Sequence, residues 1–138
     1  MTEPNRANIR AWVDALRSGE YEQGIDRLAT RDNGGTKHCC LGVVSVLACN
    51  AGVAVDSSWV NLTYYEKLVF EWDDAENGRA FADTFLPDPV RRWLGLSSHI
   101  PQVANDYLAN LNDDGKSFAT IADLIEAEWL TDTSKAGA

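Results

Sequence analysis

The stretch His38-Cys39-Cys40-Leu41-Gly42-Val43-Val44-Ser45-Val46-Leu47-Ala48-Cys49 is the longest nearly uncharged apolar run in the chain, and it holds all three cysteines. It starts at one of only two histidines and ends against Asn50-Ala51-Gly52. A helix that is apolar around most of its circumference belongs inside a domain rather than on its surface. The run therefore predicts a central helix over residues 38–50, with Gly52 free to take a left-handed C-terminal conformation. The other elements must then pack around it.

On the N-terminal side, Ile9, Trp12, Val13 and Leu16 fall at i, i+3, i+4 and i+7. That spacing is one face of an amphipathic helix, closed by Ser18-Gly19. Residues 20–37 show no clean period, and Asp32-Asn33-Gly34-Gly35 is a turn signal that fits a hairpin. On the C-terminal side, Val53-Ala54-Val55 and the residues from Asn61 to Trp72 favour β structure, with helix as a rival over Tyr64–Glu71. Glu71, Asp73, Asp74 and Glu76 with Asn77-Gly78 read as an acidic turn. Leu86-Pro87-Asp88-Pro89 reads as a helix start with Asp88 as N-cap and Pro89 in the first helical position, ending at Gly95. Val103, Tyr107, Leu108 and Leu111 predict a further helix that turns into Asn112-Asp113-Asp114-Gly115. Ser117 is placed to cap a last helix, with Phe118, Ile121, Ala122, Ile125 and Trp129 on one face through Leu130. The expected fold is α+β: one mostly helical domain over 1–130, a small antiparallel sheet or hairpin from the middle third, and a flexible tail at 131–138.

Composition narrows the function classes. A chain of 138 residues buries roughly two thirds of its unfolded surface. Its 45% hydrophobic content and five tryptophans supply a core, which separates it from disordered chains. The net charge is −9. Residues 1–50 carry six basic and six acidic side chains, so the whole excess lies in 51–138, at six against fifteen. Neutralising phosphates takes a basic face, and none is present on a large scale, which argues against general nucleic-acid binding. The acidic surface suits solubility or a basic partner. Met1-Thr2-Glu3-Pro4-Asn5-Arg6 lacks the apolar segment of an export signal, and three cysteines on an apolar run fit reduced thiols. The expected setting is a cytoplasm. No apolar run approaches the ~20 residues of a membrane span.

Several residues invite a chemical role. Cys39 or Cys40, at the start of an apolar helix, stands where the N-terminal dipole lowers a thiol pKa and favours the nucleophilic thiolate. His38 or His99 would serve as base, with Asn112 or Asp113 orienting the imidazole. Against this, His38 is adjacent in sequence, where a good Cys–His contact is awkward, and free cysteine is among the most buried residue types. Packing is the favoured role. His38, Cys39, Cys40 and Cys49 contain no CxxC pair, so no metal and no cofactor is expected. Gly115-Lys116-Ser117 imitates the end of a P-loop, but Asn110 stands where its first glycine belongs. Asn110-x-Asn112-x-Asp114-Gly115 imitates a calcium loop, but Ile121 replaces its final glutamate. Asn112, Asp113 and Ser117 then read as turn and cap residues, or as the polar wall of a binding pocket. Trp59, Tyr64, Tyr65, Phe70 and Trp72, among Glu66, Glu71, Asp73 and Asp74, form either a partner-binding face or sheet core. Arg91 and Arg92 form a basic pair that could meet an anionic ligand or simply face solvent.

Three motifs carry a resemblance. These are Leu16-Arg17-Ser18-Gly19-Glu20-Tyr21-x-Gln23-Gly24, then Cys39-Cys40-Leu41-Gly42-Val43, then Leu111-Asn112-Asp113-x-Gly115-x-Ser117-Phe118-x-x-Ile121-Ala122-x-x-Ile125-Glu126. The linking Leu86-Pro87, Val90 and Trp93-Leu94-Gly95-Leu96 fit as well. The chain resembles a group of small proteins of unknown function encoded by actinobacterial phages and prophages. It is similar, more distantly, to an uncharacterised actinobacterial domain with a Cys-Leu-x-Gly helix and a late Asn-Asp turn. The resemblance implies a phage accessory protein at work in the host cytoplasm, and brings no activity and no catalytic residues. The expected function is a binding module for a host macromolecule or a small signalling metabolite. The alternative is a cysteine-dependent hydrolase or transferase built on Cys39 or Cys40. The oligomeric state is open.

Overall fold

A computed structural model describes residues 3–76 and 78–131. Asn77 of the acidic turn and residues 132–138 of the expected tail lie outside the described residues. The described part is 38% helical and 26% strand, so sheet is a larger partner than the sequence suggests, and the fold is α+β.

Helix α1 (Arg6–Arg17) begins where the Asn5 side chain accepts a hydrogen bond from the Asn8 amide. It buries Ile9, Trp12, Val13 and Leu16, the four residues its spacing marks. The turn signal at 32–35 joins strands β1 (Ala29–Asp32) and β2 (Gly35–His38) into a hairpin. Helix α2 (Cys40–Asn50) follows. It starts two residues later than the apolar run predicts, because His38 is held in β2 and the Cys39 side chain serves as N-cap. Valines at 43, 44 and 46 are mediocre helix formers. Burial offsets that weakness, since Cys40 to Ser45 and Ala48 are all buried.

The chain then forms β3 (Asp56–Asn61), β4 (Glu66–Asp74) and β5 (Gly78–Ala82). Tyr64–Glu71, where helix rivals strand in the sequence, is a turn running into β4. Strand β4 organises an entirely antiparallel sheet. It pairs with β3 through Asp56↔Glu71 to Asn61↔Glu66, with β5 through Phe70↔Ala82 to Asp74↔Gly78, and with β1 at Thr30↔Lys67 and Arg31↔Glu66. The sheet thus draws on residues 29–38 as well as on the middle third. Leu68, Phe70 and Trp72 alternate inward from β4 and are buried.

Helix α3 (Asp88–Leu94) has Pro87 at its cap and Asp88 as its first residue, one position earlier than expected; Gly95 closes it in a left-handed conformation. A Cβ on Gly95 would lie 2.0 Å from the Glu3 carbonyl oxygen, so the N-terminal segment can lie against this turn only if the residue is glycine. Val103 and Tyr107, expected on a helix, instead lie on a two-stranded ribbon, β6 (Gln102–Val103) and β7 (Asp106–Tyr107). The helix itself, α4 (Leu108–Asp113), is short. Ser117 caps α5 (Phe118–Ile125) by accepting from the Thr120 amide, as its sequence implies. The final stretch does not continue as α-helix but widens into a π turn over Glu126–Leu130. One core cluster runs through α1, α2, α3, α4, α5 and the inner face of β4.

Candidate functional site

Two places concentrate the residues singled out by sequence, and they differ in kind. The first is a junction at the N-terminus of α2. There Asn112, 1% exposed, holds three segments together. Its Oδ1 accepts from the Cys40 amide at 3.1 Å and from Gln23 Nε2 at 3.0 Å, and its Nδ2 donates to the Gly24 carbonyl at 2.7 Å. Gln23 Nε2 also donates to the Lys116 carbonyl, and Asp113 accepts from the Asp26 amide at 2.9 Å. Tyr21 packs edge-on against the His38 ring. The three motifs of the resemblance, far apart in sequence, meet here.

Close packing explains their composition. A Cβ on Gly42 would fall 1.7 Å from the Leu28 carbonyl oxygen, and that same carbonyl accepts from the Cys39 amide at 3.0 Å. Helix α2 can press onto the 28–29 backbone only if residue 42 has no side chain. Trp12, fully buried, donates its indole N–H to the Cys40 carbonyl at 2.9 Å.

The thiols at this junction are placed as packing groups. The Cys39 Sγ accepts from the Gly42 amide at 3.4 Å, and the Cys40 Sγ donates to the Leu108 carbonyl at 3.7 Å. Burial pushes the Cys39 thiol up to about 11 and holds the Cys40 thiol well above its usual range. Desolvation of the thiolate outweighs the helix dipole. Burial likewise depresses the His38 pKa, and the His38 Nδ1 is buried with no hydrogen-bond partner among the described residues. His99 is elsewhere, its Nε2 3.1 Å from the Asp88 carboxylate. Burial thus works against the thiolate form at both cysteines. Among the described residues, no group of three or more His, Cys, Asp or Glu side chains is arranged to hold a metal ion.

The second place is a cleft of about 710 Å³ between two turns, at the end of the sheet where β1 meets β2 and β3 meets β4. Its floor is fixed. Arg31 donates to both Glu66 carboxylate oxygens, at 2.8 and 3.0 Å, and its guanidinium lies 4.2 Å from the centre of the Trp59 ring. Tyr65 is anchored by Arg27, whose Nε donates to the phenol oxygen at 3.4 Å while its Nη1 pairs with Asp83. The rim is free: Tyr64 is 89% exposed, and Lys37 forms no ion pair among the described residues.

The remaining candidates separate. Trp72 is 6% exposed and belongs to the inner side of the sheet. The acids at 71–76 lie at the far end of β4, where Arg79 pairs with Asp56, Glu71 and Asp73. Arg91 is turned back onto its own helix, donating to Asp88 and to the Leu96 carbonyl, and Arg92 pairs with the same Asp88. Ser117 is the cap of α5. Lys37 and Arg31 are the residues that sequence reading missed; Glu66 was named with the aromatic face, but not its pairing with Arg31. No local pattern marks Arg31 as facing Glu66, because their pairing spans 35 positions. The succession Tyr64-Tyr65 was a usable signal: both fall in the turn before β4, and both are exposed.

A family model described as a domain of unknown function (DUF8296) matches residues 6–129, and the chain belongs to that family. No curated protein and no solved structure matches it.

Proposed function

We propose that this DUF8296 member is a phage- or prophage-encoded accessory protein that works in the host cytoplasm as a binding module on a host protein. One observation carries the proposal: the cleft at the end of the sheet presents an almost fully exposed tyrosine, and a lysine without an ion pair among the described residues, on a floor crossed by the two-pronged Arg31–Glu66 pair. Tyrosine is among the residues that dominate binding energy at protein interfaces. A floor locked by the Arg31–Glu66 pair and the Trp59 stack loses little freedom when a partner docks. The acidic net charge disfavours nucleic acid as that partner. The burial of Cys39 and Cys40 leaves the cysteine-hydrolase alternative without support.

A photo-crosslinking residue placed at Thr63, in the rim beside Tyr64, tests this in actinobacterial cytoplasm. A discrete adduct from position 63, absent when the same group stands at exposed Glu20, is the expected result. Equal, diffuse labelling from both positions would remove the cleft from consideration.

A further inference from the structure

A second cleft, of about 480 Å³, lies between the C-terminal end of α3, the β6–β7 ribbon and the π turn, and it shares no lining residue with the cleft at the end of the sheet. Its volume falls in the range of small-molecule sites. The shape of its walls comes from tertiary structure. Trp12 stacks on Trp129 with ring centres 6.4 Å apart, and Arg6 donates to the carbonyls of Trp129 and Leu130 at 3.2 and 2.6 Å. These contacts hold the π turn, a departure from regular helix that is frequent at functional sites. Across from it, the ribbon turns through Ala104 and Asn105, both at positive φ, 50° and 66°. Ala104 is not a residue that takes that conformation freely, so the surrounding structure imposes it.

The chemistry of the lining is one-sided. Among the described residues that line it, Glu128 is the only charged side chain and forms no ion pair, and the nearby Arg6 guanidinium is engaged by the Trp129 and Leu130 carbonyls. Trp129 and Tyr107 supply aromatic surface, and Leu96, Ile100 and Pro101 supply apolar surface. The carboxamide of Asn105 is likewise uncommitted. An anion would meet an unopposed carboxylate in a protein of net charge −9. A cation with an apolar body would pair with Glu128 and lie against indole, the best aromatic surface for such an ion. We propose that this cleft binds a small organic ammonium ion. The site is independent of the protein-binding cleft, so either can fail without the other.

The test is a titration of the isotopically labelled full chain, followed by amide and indole N–H chemical shifts. The probes are tetramethylammonium chloride and n-butylammonium chloride, with sodium chloride and maltose as controls. At least one ammonium probe is expected to give saturable shifts at the Trp129 indole and at the amides of Ile100 and Tyr107. Glu128→Gln, at an exposed and unpaired position, keeps the fold and is expected to weaken binding about fivefold. Three results would overturn the proposal: no saturable shift with either ammonium salt, equal affinity in Glu128→Gln, or saturation by maltose at these sites.

Discussion

The junction at the start of α2 and the cleft at the end of the sheet are both built from polar side chains, yet they use them in opposite ways. At the junction, Asn112 is almost fully buried, and its carboxamide serves the Cys40 amide, the Gln23 side chain and the Gly24 carbonyl. At the cleft, Tyr64 is 89% exposed and Lys37 is unpaired among the described residues. A buried side chain with three hydrogen bonds made inside the protein has little left for a ligand, whereas one with none made has everything left. The residues that look most distinctive in the sequence are therefore those the fold consumes, and the residues free to act carry no motif.

The contrast can be broken most severely at Gly42. Gly42→Ala places a methyl group in the Leu28 carbonyl, and no rotamer relieves a backbone clash. The expected loss is about 4 kcal/mol or failure to fold, read by urea denaturation. A variant of wild-type stability would show that α2 does not press on that carbonyl. Asn112→Ala comes next. It strands the buried Cys40 amide and the Gly24 carbonyl, at an expected cost of about 3 kcal/mol. A change under about 0.5 kcal/mol would mean that Asn112 is available for a ligand after all.

A smaller effect comes from the tie between α1 and the π turn. Glu126 accepts from Arg17 and from Arg10, and these bonds hold its carboxyl at about 2, below its ordinary 4.5. Because the folded pKa is the lower, the unfolded chain takes up a proton first as the pH falls. The stability from this tie is complete above about pH 4.5 and disappears as the pH falls towards 2. The urea midpoint should therefore drop across that window, and Glu126→Gln should remove part of the drop. An unchanged pH profile in Glu126→Gln would show that the tie contributes nothing.

The thiols refine the comparison without altering the fold. Burial raises all three cysteine pKa values, so little thiolate exists near pH 7.5. Native alkylation by iodoacetamide should reach half-buried Cys49 first and fully buried Cys40 last. Labelling of Cys39 or Cys40 faster than a free-cysteine peptide would revive the nucleophile.

Local features of the fold were legible in the sequence. The face of α1, the hairpin at 32–35, the left-handed Gly52, the end of α3 at Gly95 and the Ser117 cap each follow from a few adjacent residues, and each is present. What escaped depends on a tight local ribbon in one case and on distant partners in the others. Val103 and Tyr107 keep helical spacing but are drawn into a ribbon. Trp129 lies on the helical face in sequence, but its packing on Trp12 and the Arg6 bonds accompany a π turn. Trp72 and Tyr64 look alike in a list of aromatics, and only the pairing of β4 sends one inward and leaves the other out. The candidate site was legible as far as Trp59, Tyr64, Tyr65 and Glu66; Lys37 and the pairing of Arg31 with Glu66 come from strand pairing that no local pattern encodes.

The most direct test of this division is the affinity of Tyr64→Ala for the partner cross-linked at position 63, measured beside its denaturation midpoint. Loss of an exposed ring should leave stability within about 0.5 kcal/mol of wild type while weakening binding roughly thirtyfold. Wild-type affinity in a Tyr64→Ala chain of unchanged stability would contradict the account, and would move the search for the binding surface away from the end of the sheet.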